Sequence, residues 1–180
     1  MSAQSPVISD TYRRLQQELH ENPGYGVMSL RYGGIVKQLI DQLGAKSLTD
    51  YGAGKQNLLT ALQKLDVEID YRPYDPAFPE YGQAQQADLV CCIDVLEHIE
   101  PDYLENVLDE LKAITVKHGF FTVHVGPAVK HLADGRNAHL IQQPPQWWLP
   151  KFKERFKLLQ TREIANGFAV IVAALDPVQA

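Results

Sequence analysis

Leu48-Thr49-Asp50-Tyr51-Gly52-Ala53-Gly54 is the stretch on which the reading of the fold turns. Residues 47–51 read as a short strand, and the two glycines break it with a tight turn. A helix follows, with Leu58, Leu59, Leu62 and Leu65 on one face. Upstream, Ile35, Val36, Leu39, Ile40 and Leu43 repeat at helical spacing, and Gly44 is the stop. Before that, Ser9 and Asp10 cap a helix carrying Tyr12, Leu15 and Leu19, which Asn22-Pro23-Gly24 ends.

Downstream, Val67, Ile69 and Tyr71 alternate as a second strand, with the acid Asp75 just beyond it. Leu89-Val90-Cys91-Cys92-Ile93 is a continuous apolar run, the signature of a strand buried on both faces. Pro101 suits the first turn of a helix whose stripe is Leu104, Val107, Leu108, Leu111 and Ile114. Gly119 precedes a strand over 120–125, and 127–145 reads as a long loop. A short helix over 147–152 leads to strands at 156–161 and 167–175, joined by a turn so short that the pair must be antiparallel. Strands alternating with helices predict an α/β fold with a mostly parallel sheet and a C-terminal antiparallel hairpin. One domain over 1–180 is expected, with 1–30 as an N-terminal helical lid and 31–180 as the core.

Composition narrows the function. The 180 residues carry a formal net charge of -5, which argues against nucleic acid as a partner, because grip on phosphates needs a basic surface. No apolar run is long enough to cross a membrane and no signal peptide is read at the N-terminus, so no membrane partner is expected. Cys91 and Cys92 are adjacent and sit in an apolar strand, which fits buried thiols of a reducing compartment and a cytoplasmic protein.

The strand–turn–helix is a ligand site in open parallel sheets, where small molecules bind beyond the carboxyl ends of the strands. An acid some 20 residues on can accept bonds from both ribose hydroxyls, and Asp75 lies 21 residues past Gly54. The plainer alternative for Asp75 is a turn residue of the Asp75-Pro76 pair. A dinucleotide fingerprint wants a third glycine near 57, where Asn57 stands, so the turn suits a nucleoside ligand without a pyrophosphate.

With these residues in place, the sequence resembles the class I S-adenosylmethionine-dependent methyltransferases. Asp50-Tyr51-Gly52-Ala53-Gly54 resembles their first motif, Tyr74-Asp75-Pro76 the second, and Asp94-Val95-Leu96-Glu97-His98-Ile99 the segment after the strand that contains Cys91. The Leu96-Glu97-His98 letters are similar to those of the ubiquinone-biosynthesis O-methyltransferases. The resemblance covers roughly residues 30–175 and implies a Rossmann-like sheet, S-adenosylmethionine as cofactor and a small polar acceptor methylated on oxygen or nitrogen. It implies that Gly52, Ala53 and Gly54 pass under the methionine part, that Asp50 orders the turn, and that Asp75 holds ribose. Pro76 and Phe78 are then near adenine, and Asp94 faces the methyl group and acceptor. The sequence departs from the family between Pro76 and Ala87, where a full strand and crossover helix do not fit, so that unit is expected to be shortened or lost. A non-catalytic, cofactor-binding regulator on the same fold is the alternative this shortening motivates.

Methyl transfer is a displacement that needs an aligned acceptor and, for a hydroxyl or protonated amine, a base. His98 is a candidate because imidazole titrates near neutrality; otherwise it is a helix-boundary residue. The loop cluster His124, His131, Asp134, Arg136, Asn137 and His139, followed by Trp147 and Trp148, is the candidate acceptor pocket, with His139 as a second base. Arg136 offers paired donors to a carboxylate or phosphate, and Trp147 a wall; the alternative is a solvated turn and core tryptophans. Asp94, Glu97 and His98 also match the acid-x-x-Glu-His spacing of some metal-assisted O-methyltransferases, including small-RNA 2′-O-methyltransferases, with His139 to complete the shell. Many relatives with these letters use no metal, and none is assigned from sequence. Lys151, Lys153, Arg155 and Lys157 read as the solvated face of a helix.

Overall fold

The computed structural model describes residues 5–175, so the outermost residues of the expected domain, 1–4 and 176–180, lie outside it. The elements, in order, are α1 (Asp10–His20), α2 (Gly33–Leu43), β1 (Ser47–Tyr51), α3 (Asn57–Gln63), β2 (Asp70–Tyr74), β3 (Ala87–Ile93), α4 (Leu104–Ile114), β4 (Thr115–His124), α5 (Pro145–Lys153), β5 (Phe156–Ile164) and β6 (Gly167–Ala174). The strands form one sheet in the order β2-β1-β3-β4-β6-β5. β2, β1, β3 and β4 run parallel, while β6 is antiparallel to both β4 and β5. The α/β sheet with its closing hairpin is the architecture expected from sequence.

Each face of the sheet has its own core. Leu89, Cys91 and Ile93 point to the side packed by Val36, Leu39 and Ile40 of α2 and Leu58 and Leu62 of α3. Val90 and Cys92 point to the other, where Val107, Leu108 and Leu111 of α4 meet Trp148, Phe152 and Phe168. β3 is therefore buried on both faces, as its unbroken apolar run requires. Cys91 and Cys92 are free thiols, fully buried. No helix among the described residues is long and apolar enough to cross a membrane.

Between β2 and β3 there is no strand and no α-helix, only a 3₁₀ turn at Pro79–Tyr81. The shortened unit is thus lost, and β2 becomes the edge of the sheet. Other boundaries differ from the sequence reading. β2 begins at Asp70, so Val67 and Ile69 precede it, and the backbone of Val67 bonds back to Leu62 at 3.1 Å. β4 starts at Thr115 straight from α4, so Gly119 lies inside the strand. Leu65 falls beyond α3 and is exposed. On α1 the buried positions are Tyr12 and Gln16 rather than Leu15 and Leu19.

Candidate functional site

The strand order reverses between β1 and β3, and ligands of open α/β sheets bind at that switch point. A cavity of about 460 Å³ opens there, beyond the ends of β1, β3 and β4. Its size lies in the range that holds a ligand of cofactor dimensions. Gly52, Ala53, Gly54, Asp75, Pro76, Asp94, His98, His124 and His139 all line it.

The glycine turn is held by β2. The carbonyl of Tyr74 accepts the N–H groups of Gly52 (2.8 Å) and Ala53 (3.0 Å). Gly52 has φ +80°, and a Cβ there would sit 2.4 Å from Cγ2 of Val95, so only glycine fits. Asp75 follows β2 and accepts the N–H of Gly54 on Oδ2 (3.0 Å) and of Ala77 on Oδ1 (2.8 Å). Burial raises its carboxyl to about 6, against the pull of the two N–H bonds. Asp50 is placed differently from the role the resemblance implies. Its buried carboxyl takes a hydrogen bond from the Tyr71 hydroxyl and does not line the cavity. Burial raises it to about 7.

Asp94 sits at φ +51°, an unfavourable backbone for a residue with a side chain. Thr122 holds it there, donating to Oδ1 at 2.8 Å while its hydroxyl accepts the Asp94 N–H at 2.9 Å. The following 3₁₀ turn, Leu96–His98, aims Glu97 and His98 at the loop after β4. That loop is docked on the turn: His98 Nδ1 meets the carbonyl of Ala138 at 2.8 Å, and the N–H of Ile141 donates to the carbonyl of Glu97 at 3.0 Å. His139 Nδ1 in turn meets the carbonyl of Gly126 at 2.7 Å. The ring of His139 lies 4.7 Å from those of both His98 and His124, centre to centre. Burial pushes His98 down to about 3 and lowers His139 as well, so both rings are neutral. A carbonyl can only accept, so each Nδ1 is the protonated nitrogen and each Nε2 keeps a free lone pair.

The remaining candidates do not reach the cavity. His131 is exposed and bridges to Asn137 across the loop. Asn137 organises that loop, accepting the N–H groups of Ala128 and His139 at 2.9 Å each. Arg136 is paired with Asp134 at 2.7 Å and lies over the ring of Tyr12. Trp147 sits on α5 under Lys151, and Trp148 is core. Phe78 packs on His20 rather than lining the cavity. The basic stretch is not one solvated helix face: Lys151 and Lys153 lie on α5, Arg155 follows it and is buried, and Lys157 lies on β5. Lys151 and Arg155 pair with Glu105, and Arg155 also with Asp109.

The sequence reading expects a helical lid over 1–30 with Tyr12 on its inner face, but does not single out Gln16, His20 or Tyr25. Tyr12, Gln16 and His20 line the cavity, with Tyr25 beside them. Tyr12, Gln16 and His20 stand four residues apart on one face of α1, a stripe whose last two members are polar and which an apolar pattern therefore does not extend to. Gln16 donates to the Tyr12 hydroxyl at 2.6 Å, Tyr12 donates to the carbonyl of His98, and Tyr25 donates to Gln16 at 3.1 Å. Burial and nearby Lys55 lower His20 to about 4. Tyr12→Phe leaves Gln16 and the His98 carbonyl without this partner. A loss of about 1–2 kcal/mol is expected in chemical denaturation. An unchanged midpoint would show that water replaces the hydroxyl.

Comparisons with known proteins agree with this geometry. A family model described as a methyltransferase domain matches residues 11–169. A search of proteins of curated function finds no match. Among solved structures, the chain resembles an O-methyltransferase family protein from Burkholderia thailandensis (12% identity, TM-score 0.56, 88% of this chain and 62% of that one). It also resembles the 1,6-didemethyltoxoflavin-N1-methyltransferase of Burkholderia thailandensis, solved with 1,6-didemethyltoxoflavin and S-adenosylhomocysteine (13%, TM-score 0.60, 97% and 94%). A third is the mitomycin 7-O-methyltransferase MmcR (16%, TM-score 0.62, 89% and 60%). The chain thus spans about three-fifths of the first and third of these proteins and nearly all of the second. The family match covers most of the chain, including the glycine turn, Asp75 and the histidine wall, and the chain belongs to the methyltransferase domain family.

Proposed function

We propose that this protein transfers the methyl group of S-adenosylmethionine to a small molecule bearing a hydroxyl or amine. The observation that carries the reading is the convergence, in one cavity, of the glycine turn with Asp75 and of the wall formed by His98, His124 and His139. It is a S-adenosylmethionine-dependent methyltransferase by family, and structural neighbours solved with S-adenosylhomocysteine or S-adenosylmethionine support that cofactor.

The residues present fit the cofactor. Gly52 presents bare backbone where a side chain would collide, and the Asp75 carboxylate has lone pairs left after accepting Gly54 and Ala77. When bound, the cofactor supplies an electrophilic methyl on a sulfonium. In the chain itself, Gly52–Gly54 and Asp75 hold one half of the cavity, and the histidine wall orients the acceptor in the other. Alignment of the acceptor atom is the main task of such a site. The Leu96-Glu97-His98 letters favour the ubiquinone-biosynthesis O-methyltransferase-like group, and with it an oxygen acceptor. The free buried thiols fit a cytoplasmic protein. We also read the described chain as one domain, with α1 covering the cavity.

The test is calorimetric titration with S-adenosylmethionine and S-adenosylhomocysteine, followed by mass spectrometry over a panel of hydroxyl- and amine-bearing metabolites. Binding followed by a methylated product is the expected result. Binding without product across a broad panel would point to a regulatory cofactor-binding protein, and no binding would end the reading.

A further inference from the structure

We propose that Glu97, His98 and His139 form a binding site for a divalent transition-metal ion, such as Zn²⁺ or Mn²⁺, at the acceptor end of the cavity. This deepens the reading given under Proposed function and rests on it for the role of the ion, though not for the site.

Three observations carry it. First, one donor atom from each of the three side chains lies within 4.8 Å of the others. Atoms grouped this closely can converge, with a small closing of the side chains, on a shared central ion at about 2.0–2.2 Å. Second, Glu97 is completely buried, and only half of its carboxylate is used. Oε1 accepts the N–H of His124 at 2.9 Å, while Oε2 has no hydrogen-bond partner. A buried carboxylate oxygen left unpaired is costly, and coordination to a cation is one of the few arrangements that stabilises it. Third, both imidazoles are set up as ligands. Each Nδ1 is committed to a backbone carbonyl, Ala138 for His98 and Gly126 for His139. This fixes the tautomer and leaves Nε2 as the free donor, the outer-shell arrangement typical of metal-bound histidines.

Two nitrogens and one carboxylate oxygen suit zinc, manganese or iron, and are poor for magnesium or calcium, which prefer all-oxygen shells. Three protein ligands leave open positions. His98 and His139 line the cavity, whereas Glu97 lies behind them, so the open positions face the acceptor. They suit an acceptor oxygen, whose acidity the cation increases. In the transfer, the acceptor O–H bond breaks and its proton leaves to solvent. The O–CH₃ bond forms as the S–CH₃ bond breaks, and S-adenosylhomocysteine departs with the electron pair. Asp94 takes no part in this set, because its carboxylate is turned to Thr122.

The test uses the full-length protein stripped with chelator and titrated with MnCl₂, ZnCl₂ and MgCl₂. Bound Mn²⁺ is followed by loss of its free-ion electron paramagnetic resonance signal, and Zn²⁺ by calorimetry. One Mn²⁺ or Zn²⁺ per chain is expected, with no comparable Mg²⁺ binding. Glu97→Gln keeps the shape of the side chain and removes its charge. It should weaken the ion about tenfold or more, since even outer-shell changes have effects of that size. His139→Ala should do the same. S-adenosylhomocysteine binding, measured in parallel, reports that each variant is folded. Wild-type protein that takes up neither ion at 1 mM (roughly the weak limit of functional sites) would overturn the site and leave Glu97 as a buried neutral acid. Equal ion binding by Glu97→Gln would overturn it too. Ion binding kept in a chain that binds no S-adenosylhomocysteine would support the site and sink the methyl-transfer reading alone.

Discussion

Gly52→Ala will abolish measurable S-adenosylhomocysteine binding and lower the melting temperature. The new Cβ would lie 2.4 Å from Cγ2 and 2.9 Å from Cγ1 of Val95, on a backbone with φ +80°. The left-handed backbone costs about 1–2 kcal/mol for a residue with a side chain, and overpacking adds about 1–3 kcal/mol. A sum near 3 kcal/mol corresponds to a fall of roughly 6–12 °C for a domain of this size. The turn can relieve the overlap only by moving away from Val95, which displaces the backbone under the ligand. A double variant, Gly52→Ala with Val95→Ala, should recover the packing part of the stability and leave the backbone part lost. Calorimetry that finds Gly52→Ala within about threefold of wild-type affinity, less than 1 kcal/mol, would show that this turn is not the cofactor cradle.

Asp75→Asn is expected to weaken S-adenosylhomocysteine about 30- to 150-fold at pH 7.5, or about 2–3 kcal/mol, by removing the charge that strengthens bonds from two ribose hydroxyls. The protein is also affected internally. Asp75 accepts Gly54 on one oxygen and Ala77 on the other, and an asparagine has one acceptor oxygen. One backbone N–H is therefore left facing an amide that can only donate. The wild type should show a pH signature. With the carboxyl raised to about 6, the form that can accept the hydroxyls predominates above that pH. Below it, affinity should fall by up to about tenfold per pH unit. Asp75→Asn should flatten this dependence between pH 5 and 7.5. A wild-type profile flat to pH 5 would show that Asp75 does not carry the ribose contact.

Much of this was legible in the sequence, for identifiable reasons. β3 was readable because a strand covered on both faces needs an apolar residue at every position, and Leu89 to Ile93 supply them. The hairpin was readable because its connection is too short for anything else. β2 was read early because the alternation of Val67, Ile69 and Tyr71 continues across the boundary that hydrogen bonding sets at Asp70. In the site, residues at strand ends converge because the sheet carries them there, and Gly52, Asp75 and Asp94 all meet the cavity. Residues of the loop after β4 have no such guide. His139 turns inward because Ala138 and Ile141 bond to the Glu97–His98 segment, while Arg136 satisfies itself on Asp134 two residues away. Nothing in the spacing of that loop distinguishes the two outcomes. On α1 the apolar pattern picks out Tyr12 but not Gln16 and His20, because a buried helix face is expected to be apolar and this one faces a ligand cavity.

The docking of α1 has a consequence for how the site opens. At one side Arg13 and Gln17 donate to the carbonyls of Pro76 and Ala77, at 3.0 and 2.7 Å. At the other, the N–H and hydroxyl of Ser9 donate to Glu100 at 2.8 and 2.7 Å, next to the Tyr12 bond to His98. One eleven-residue helix thus clasps the edge of the cofactor half and the edge of the acceptor half together. Fraying of that helix unfastens both at once, so the two edges loosen together. Amide exchange across α1, the Pro76–Ala77 segment and the His98–Glu100 segment should accordingly rise and fall as a single unit.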